Sequence, residues 1–135
     1  MADTFQLEIV TPEKVVVRDS AEECQIPGRN GYLGILPGHA PLISELGVGE
    51  ITYRNGGYSH HLCVAWGFAE VLPEKVTILA ETAERAQEID VKRAQEAKQR
   101  AEERLKSANP ETDFNRAEEA LQRAETRRQV AEKKS

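Results

Sequence analysis

Arg123 and Arg127 stand four residues apart in a segment with helical spacing, so their side chains share one face and two guanidinium forks can converge on phosphate oxygens. No GxxxxGK[ST] loop occurs in the chain, so a phosphate ligand would be held for sensing and not for hydrolysis. His60, His61 and Cys63 are metal-ligating types, but on a strand His61 and Cys63 face one way and His60 the other. Two converging ligands are fewer than a zinc site takes. His39 follows the Pro37-Gly38 turn with no evident nucleophile to serve, which suits a docking or loop-ordering role better than that of a base. No Ser/His/Asp constellation follows from spacing, and the sequence predicts no enzyme and no metal.

The run Ile89-Asp90-Val91-Lys92-Arg93-Ala94 has the chemistry of a helix start. Asp90 at the N-cap can accept hydrogen bonds from the first free amides, and Ile89 just before it can staple onto Ala94 one turn later. The helices positioning these residues belong to a distinct half of the sequence. Residues 1–80 hold all nine glycines, five of the six prolines and 15 charged residues, whereas residues 81–135 hold 26 charged residues and ten alanines. The first stretch has net charge -5 and the second zero, so the acidity lies on the turn-rich part.

In that first part Phe5, Leu7 and Ile9 alternate with polar residues, the period-2 pattern of a strand with one buried face. Val15 to Val17, then Glu22, Cys24 and Ile26, continue the strands. Asn55-Gly56 predicts a type I′ hairpin, Gly67 a bulge, and Val76, Ile78 and Ala80 the inward face of a last strand. Short strands separated by turns argue for a sandwich or flattened barrel. Beyond them, Ala94, Ala97, Ala101, Leu105 and Ala108 share one helix face, and Phe114, Ala117, Leu121, Ala124 and Ala131 share another. Asn109-Pro110 stops the first helix, and Thr112 or Asp113 can cap the second. The class expected is α+β: an N-terminal antiparallel β-sandwich over 1–84, then an antiparallel α-helical hairpin over 85–135. An alanine seam buries little area, so the hairpin should be marginally stable by itself and able to detach. Arg128 falls on the apolar stripe, where it must snorkel to the edge or loosen the seam.

A net charge of -5 argues against a nucleic-acid partner. MADTFQLEIV lacks the order of a secretory signal, and no apolar run approaches the roughly 20 residues of a membrane-spanning helix. The expectation is a cytosolic chain, at most docked on a membrane assembly. Cys24 and Cys63 then read as buried thiols and not as a disulfide.

LGILPGHAPLISEL, followed by VAWGFAEVLPEKVTILAETAERAQEID and a charged alanine-rich hairpin, resembles the epsilon subunit of bacterial F-type ATP synthase over essentially the whole chain. The resemblance implies a non-catalytic subunit of the rotating central stalk, peripheral on the cytoplasmic face of the bacterial inner membrane. It would lie against the gamma subunit and the c-subunit ring, near the catalytic alpha and beta subunits. It also implies docking through Tyr32, Ile35, Leu36, Pro37, Gly38, His39 and Leu42, although these aliphatics can equally plug the end of the sandwich. Tyr32 stands where family members often carry an acid, so a contact here would rest on packing and one hydroxyl hydrogen bond.

Ile89-Asp90-x-x-Arg93-Ala94 resembles the ATP-binding signature of regulatory epsilon subunits, and the matching positions are Glu84, Ile89, Asp90, Arg93, Ala94, Arg100, Arg123 and Arg127. No cofactor is required, and ATP enters as a regulatory ligand. The resemblance further implies that an opened hairpin obstructs ATP-driven rotation, with Arg116, Arg123, Arg127 and Arg128 facing an acidic segment of the beta subunit. A solvated helix face neutralised by Glu118, Glu119 and Glu125 is the other reading of those charges. The rival for the whole chain is a free-standing adaptor with a coiled-coil dimerisation tail, which short apolar stripes and a broken helix disfavour.

Overall fold

The computed structural model describes residues 3–107 and 113–133. Seven strands come first: β1 (Phe5–Val10), β2 (Val15–Ala21), β3 (Glu23–Gly28), β4 (Gly31–Ile35), β5 (Leu42–Asn55), β6 (Tyr58–Val71) and β7 (Lys75–Arg85). A single 3-10 turn, Ala86–Glu88, leads to α1 (Val91–Lys106) and α2 (Phe114–Ala131). The strands form one continuous sheet in the order β2-β1-β7-β6-β5-β3-β4, antiparallel throughout except that β1 runs parallel to β7.

This sheet folds over a single core because its three longest strands reverse their inward face midway. In β5, Leu42 and Leu46 point toward the core, and beyond Gly47 the buried residues are Gly49, Ile51 and Tyr53. In β6 the buried set changes from Leu62 and Val64 to Ala69 and Val71, and in β7 the even series Val76, Ile78 and Ala80 gives way to Ala83. The reversal sits at Trp66-Gly67, two successive residues with positive φ (57° and 122°). The expected bulge at Gly67 is not there: the register with β5 runs unbroken from Leu42↔Val71 to Asn55↔Tyr58. Glycine is required at 67 for another reason, since a Cβ would collide with the carbonyl oxygen of Leu79 on β7.

The β5–β6 turn is also displaced by one residue from its expected place. Asn55 pairs with Tyr58, so the two central residues are Gly56 and Gly57, with φ of 60° and 83°. Asn55 instead donates its side-chain amide to Asp19 Oδ1 at 2.8 Å, tying the turn to β2. Cys24 lies in the main core and Cys63 on the outer face of β6, both as free, buried thiols.

Asp90 and Asp113 cap the two helices, accepting from the amides of Arg93 and Arg116 at 3.0 and 3.1 Å. Ala94 and Ala101 of α1 and Ala117 and Ala124 of α2 are buried, whereas Leu105 and Leu121 are only half-buried. Ala108 and Thr112 lie outside the described residues. Phe114 departs from expectation: it is exposed, because it opens α2 at the far tip of the hairpin, where α1 has already ended at Lys106. Under the near end, Cys63, Ala86, Ile89, Ala94, Val130 and Ala131 form a second apolar cluster that seats the hairpin on the sheet. Ile89 and Val130 contribute roughly 1.5–3 kcal/mol each and the alanines less, so this seat is weak beside the main core.

Candidate functional site

The near end of the hairpin also carries its polar attachments. Arg127 of α2 makes two hydrogen bonds to Glu84 of β7, Nε to Oε1 at 2.6 Å and Nη2 to Oε2 at 3.1 Å. Lys133, just past α2, reaches Glu50 Oε2 of β5 at 2.5 Å, and Glu50 Oε1 lies 2.7 Å from His61 Nδ1 of β6. Burial acts to raise the Glu50 carboxyl, but hydrogen bonds and charge from Lys133 and His61 outweigh it and hold the group below its usual range. Burial pushes the Cys63 thiol beneath the hairpin up to about 12, with Glu84 adding to the effect and Arg127 opposing it.

Between α1, α2 and β7 lies a cleft of about 550 Å³. Its floor is alanine (Ala97, Ala101, Ala120 and Ala124), and its walls carry Arg93, Arg100 and Arg104 from α1, Arg123 and Arg127 from α2, and Glu84. Residues 93, 97, 100 and 104 recur at spacings of four and three, so one stripe of α1 faces the cleft. Small side chains let the helices approach closely while the long arginines fold over the opening.

Ion pairing makes this cleft unusual within the molecule. Arg18, Arg29, Arg54, Arg127 and Arg128 each pair with a carboxylate, and Arg85 donates to the Val16 carbonyl. Among the described residues Arg93, Arg100, Arg104, Arg116 and Arg123 have no carboxylate within ion-pair distance, and all but Arg116 line the cleft. Four unpaired guanidiniums beside one occupied carboxylate make an anion-seeking surface.

Of the eight positions expected at a ligand site, the structure gathers Glu84, Arg93, Arg100, Arg123 and Arg127 around this cleft. Ile89 and Ala94 instead belong to the apolar cluster beneath the first turn of α1, and Asp90 holds the helix cap. Arg104 was missed by sequence reasoning, although it stands one turn beyond Arg100. Arg128 does snorkel: Nη1 reaches Glu132 Oε1 at 2.8 Å while Nε stays buried without a partner. Glu125 does not neutralise an arginine of its own helix; it pairs across the hairpin with Lys98 at 3.3 Å.

The expected docking residues lie on β4, the loop after it and the start of β5. Leu36 is 61% and Tyr32 55% exposed, and the Tyr32 hydroxyl accepts from the Glu50 amide at 3.0 Å, lying over Gly49 where a Cβ would strike it. Pro37-Gly38 forms the turn, with φ of 83° at Gly38 and its amide donating to the Pro73 carbonyl at 2.9 Å. His39 orders the loop by donating Nδ1–H to its neighbour's carbonyl at Ala40, 2.7 Å away. Ile35 corrects the expectation: it is 1% exposed, paired with Cys24, and points into the core because it ends the inward series of β4. Leu42 is half-buried against that core. The apolar surface is carried instead by Leu36, Ile43 at 71%, and the cross-strand pair Phe68–Leu79. Their signal was the break in alternation at Ile78-Leu79.

His60 stacks on Tyr53 with ring centroids 4.7 Å apart, while His61 turns to Glu50. Among the described residues no three His, Cys, Asp or Glu side chains converge as metal ligands.

The model of the ATP synthase Delta/Epsilon chain beta-sandwich domain matches residues 4–86, and that of the corresponding long alpha-helix domain matches residues 87–132. The chain belongs to the ATP synthase delta/epsilon family. Within that family it is 70% identical over 111 residues to the ATP synthase epsilon chain of Koribacter versatilis, covering 82% of this chain and 78% of that one. It is 48% identical over 111 residues to the epsilon chain of Geotalea daltonii, covering 82% and 80%. The resemblance carried by LGILPGHAPLISEL and the charged hairpin thus holds. Two solved structures share the fold: a chain of the Euglena gracilis mitochondrial ATP synthase (TM-score 0.82, 22% identity, 93% of this chain and 80% of that one) and one of the Tetrahymena thermophila mitochondrial ATP synthase (TM-score 0.64, 12% identity, 94% and 96%). In this delta/epsilon chain the alanine stripes of α1 and α2 are buried within one molecule, at Ala94, Ala101, Ala117 and Ala124.

Proposed function

We propose that this epsilon-type chain is a non-catalytic rotor subunit of ATP synthase. Its sandwich docks on the gamma subunit and the c-subunit ring, and its hairpin restrains ATP hydrolysis when it opens toward the catalytic alpha and beta subunits. ATP favours the closed hairpin. Membrane association comes through the complex, at the cytoplasmic face of the bacterial inner membrane; no helix among the described residues is long and apolar enough to cross a membrane. The Euglena gracilis assembly includes a c-ring and the Tetrahymena thermophila one the central stalk and c-ring, which supports this reading.

The observation that carries the regulatory part is the gathering of Arg93, Arg100, Arg104 and Arg123, which have no carboxylate partner among the described residues, around a cleft lined jointly by α1, α2 and β7. Like charges held together oppose closure, and a polyphosphate between them turns that repulsion into attraction. A ligand that binds only the closed form shifts the equilibrium by its differential affinity. Once open, α2 presents Arg116, Arg123, Arg127 and Arg128 to an acidic partner.

The test is an ATP synthase assembled with this chain whole or ended after Arg85. Truncation should raise ATP hydrolysis severalfold and leave proton-driven synthesis in place. Equal hydrolysis with both chains would remove the inhibitory role.

A further inference from the structure

We infer that Lys133, Glu50 and His61 form a catch on the closed hairpin, with His61 as the positioning residue that turns the Glu50 carboxylate toward Lys133; the proposal rests on the opening hairpin proposed above and adds a contact that restrains it. Glu50 of β5 pairs with Cys63 of β6, and Cys63 with Glu84 of β7, so the three side chains form one row across the outer face of the sheet, a carboxylate at each end and a thiol between. The end of α2 matches that row. Arg127 binds Glu84 and Lys133 binds Glu50, while Val130 and Ala131 join Cys63 in the apolar cluster between them. The amide of Lys133 donates to the Val130 carbonyl at 2.9 Å and Glu132 keeps helical φ and ψ, so the helical rise carries on past Ala131. From Arg127 to Lys133 that rise is about 9 Å, close to the roughly 9.5 Å of two strand spacings. At about 100° per residue Val130 falls halfway around the helix between Arg127 and Lys133 as well as halfway along it, so the two cations straddle the valine that packs with Cys63.

The Glu50 carboxylate divides its two oxygens between sheet and arm. Oε1 lies 2.7 Å from His61 Nδ1 and accepts from Thr52 Oγ1 at 3.3 Å, and Oε2 accepts from Lys133 Nζ at 2.5 Å. An ionised carboxylate only accepts, so His61 carries a proton on Nδ1 in this contact. With Oε1 held from β5 and β6, the carboxylate is fixed in rotation and Oε2 is aimed at α2 before the arm arrives. Glu50 has 17% of its side chain exposed and Lys133 48%: the acid belongs to the sheet, and the cation arrives with the arm. At Glu84 the orientation comes from Arg127 itself, whose planar fork binds both oxygens. A lysine is a point charge on a flexible stem, and it gains more from an acceptor already in place.

Cys63 is buried in the closed form, so its alkylation in the full chain reports opening. The variants are Lys133→Met, His61→Leu, His61→Asn and the double variant His61→Leu/Lys133→Met, with Glu84→Gln as the reference for opening. Each rate is divided by the rate of the same variant in denaturant, so that a change in the intrinsic reactivity of the thiol cancels. Lys133→Met should raise this ratio about threefold and His61→Leu about twofold, while His61→Asn, which keeps a donor near the position of Nδ1, should stay close to wild type. The double variant should react no faster than Lys133→Met alone, because His61 acts through the Lys133 contact. Effects that multiply would overturn the positioning role of His61, since a side chain that only packs on the sheet adds its cost independently. A Lys133→Met ratio equal to wild type, with Glu84→Gln accelerated, would overturn the catch and leave the opening hairpin standing. Wild-type ratios in every variant, Glu84→Gln included, would overturn both.

Discussion

Arg127 grips Glu84 with two parallel hydrogen bonds, 2.6 and 3.1 Å long, and in doing so ties the last turns of α2 to the final strand of the sandwich. The bidentate pair is half-buried and sits beside the small cluster around Cys63 and Val130. Attraction at this point opposes the repulsion among the unpaired arginines farther along the cleft.

Breaking that pair should open the hairpin without unfolding the sandwich. Glu84→Gln keeps the shape and removes the charge; discounted for partial exposure, the loss is about 1 kcal/mol, or roughly fivefold in the closed-to-open ratio. Alkylation of Cys63, followed by peptide mass mapping, should speed up by about that factor, while Cys24 in the main core stays slow. Equal rates at Cys63 in variant and wild type would show that the pair does not hold the arm.

Arg128→Leu should act in the opposite direction. The buried, unpartnered Nε costs about 1–3 kcal/mol, only partly offset by the exposed contact to Glu132. A leucine at this position on the stripe removes that cost, so Cys63 alkylation should slow and the hairpin should resist proteolysis longer. Faster cleavage would mean that Arg128 stabilises the closed form.

Acid should loosen the end of α2. The Glu50 carboxyl lies below its ordinary 4.5 in the closed form, so its contribution is fully present above 4.5 and is lost as pH falls through the lowered value. The Val130 methyl resonances, followed by NMR, should move toward their open-state positions across that acid range. In Glu50→Gln the same movement should vanish; if it persists unchanged, another group governs the transition.

Gly67→Ala should cost about 3 kcal/mol or more, because the left-handed backbone and the Leu79 carbonyl leave no room for a Cβ. A thermal melt lowered by less than a few degrees would contradict the assignment of this position as the corner of the sheet.

Much of this was legible because local chemistry and tertiary structure agree. The alternation of Phe5, Leu7 and Ile9, the even series Val76 to Ala80, and the caps at Asp90 and Asp113 are set by nearest neighbours, and the structure keeps them. What failed depends on distant chain. Ile35 looks like part of an apolar loop until its pairing with Cys24 turns it inward, and Phe114 loses its partner because α1 ends first. The face reversal at Trp66-Gly67 comes from a two-residue backbone rotation, with the register unshifted, and no side-chain pattern encodes it. Within the cleft, Glu84, Arg93 and Arg100 came from the resemblance, and Arg123 and Arg127 from the resemblance and from their helical spacing. Arg104 needed the observation of which arginines find a carboxylate, and that is a property of the folded molecule.

If an anionic ligand closes the hairpin over Cys63, its binding protects that thiol. The decisive experiment follows the rate of Cys63 alkylation in the purified full chain, with and without ATP, using Cys24 as the internal control. In the closed form burial holds this thiol near 12 and nearly unreactive, so reaction proceeds through the open form. ATP should slow Cys63 severalfold in proportion to its occupancy, leave Cys24 unchanged, and lose its effect in Arg123→Ala. A Cys63 rate unaffected by saturating ATP would contradict the account.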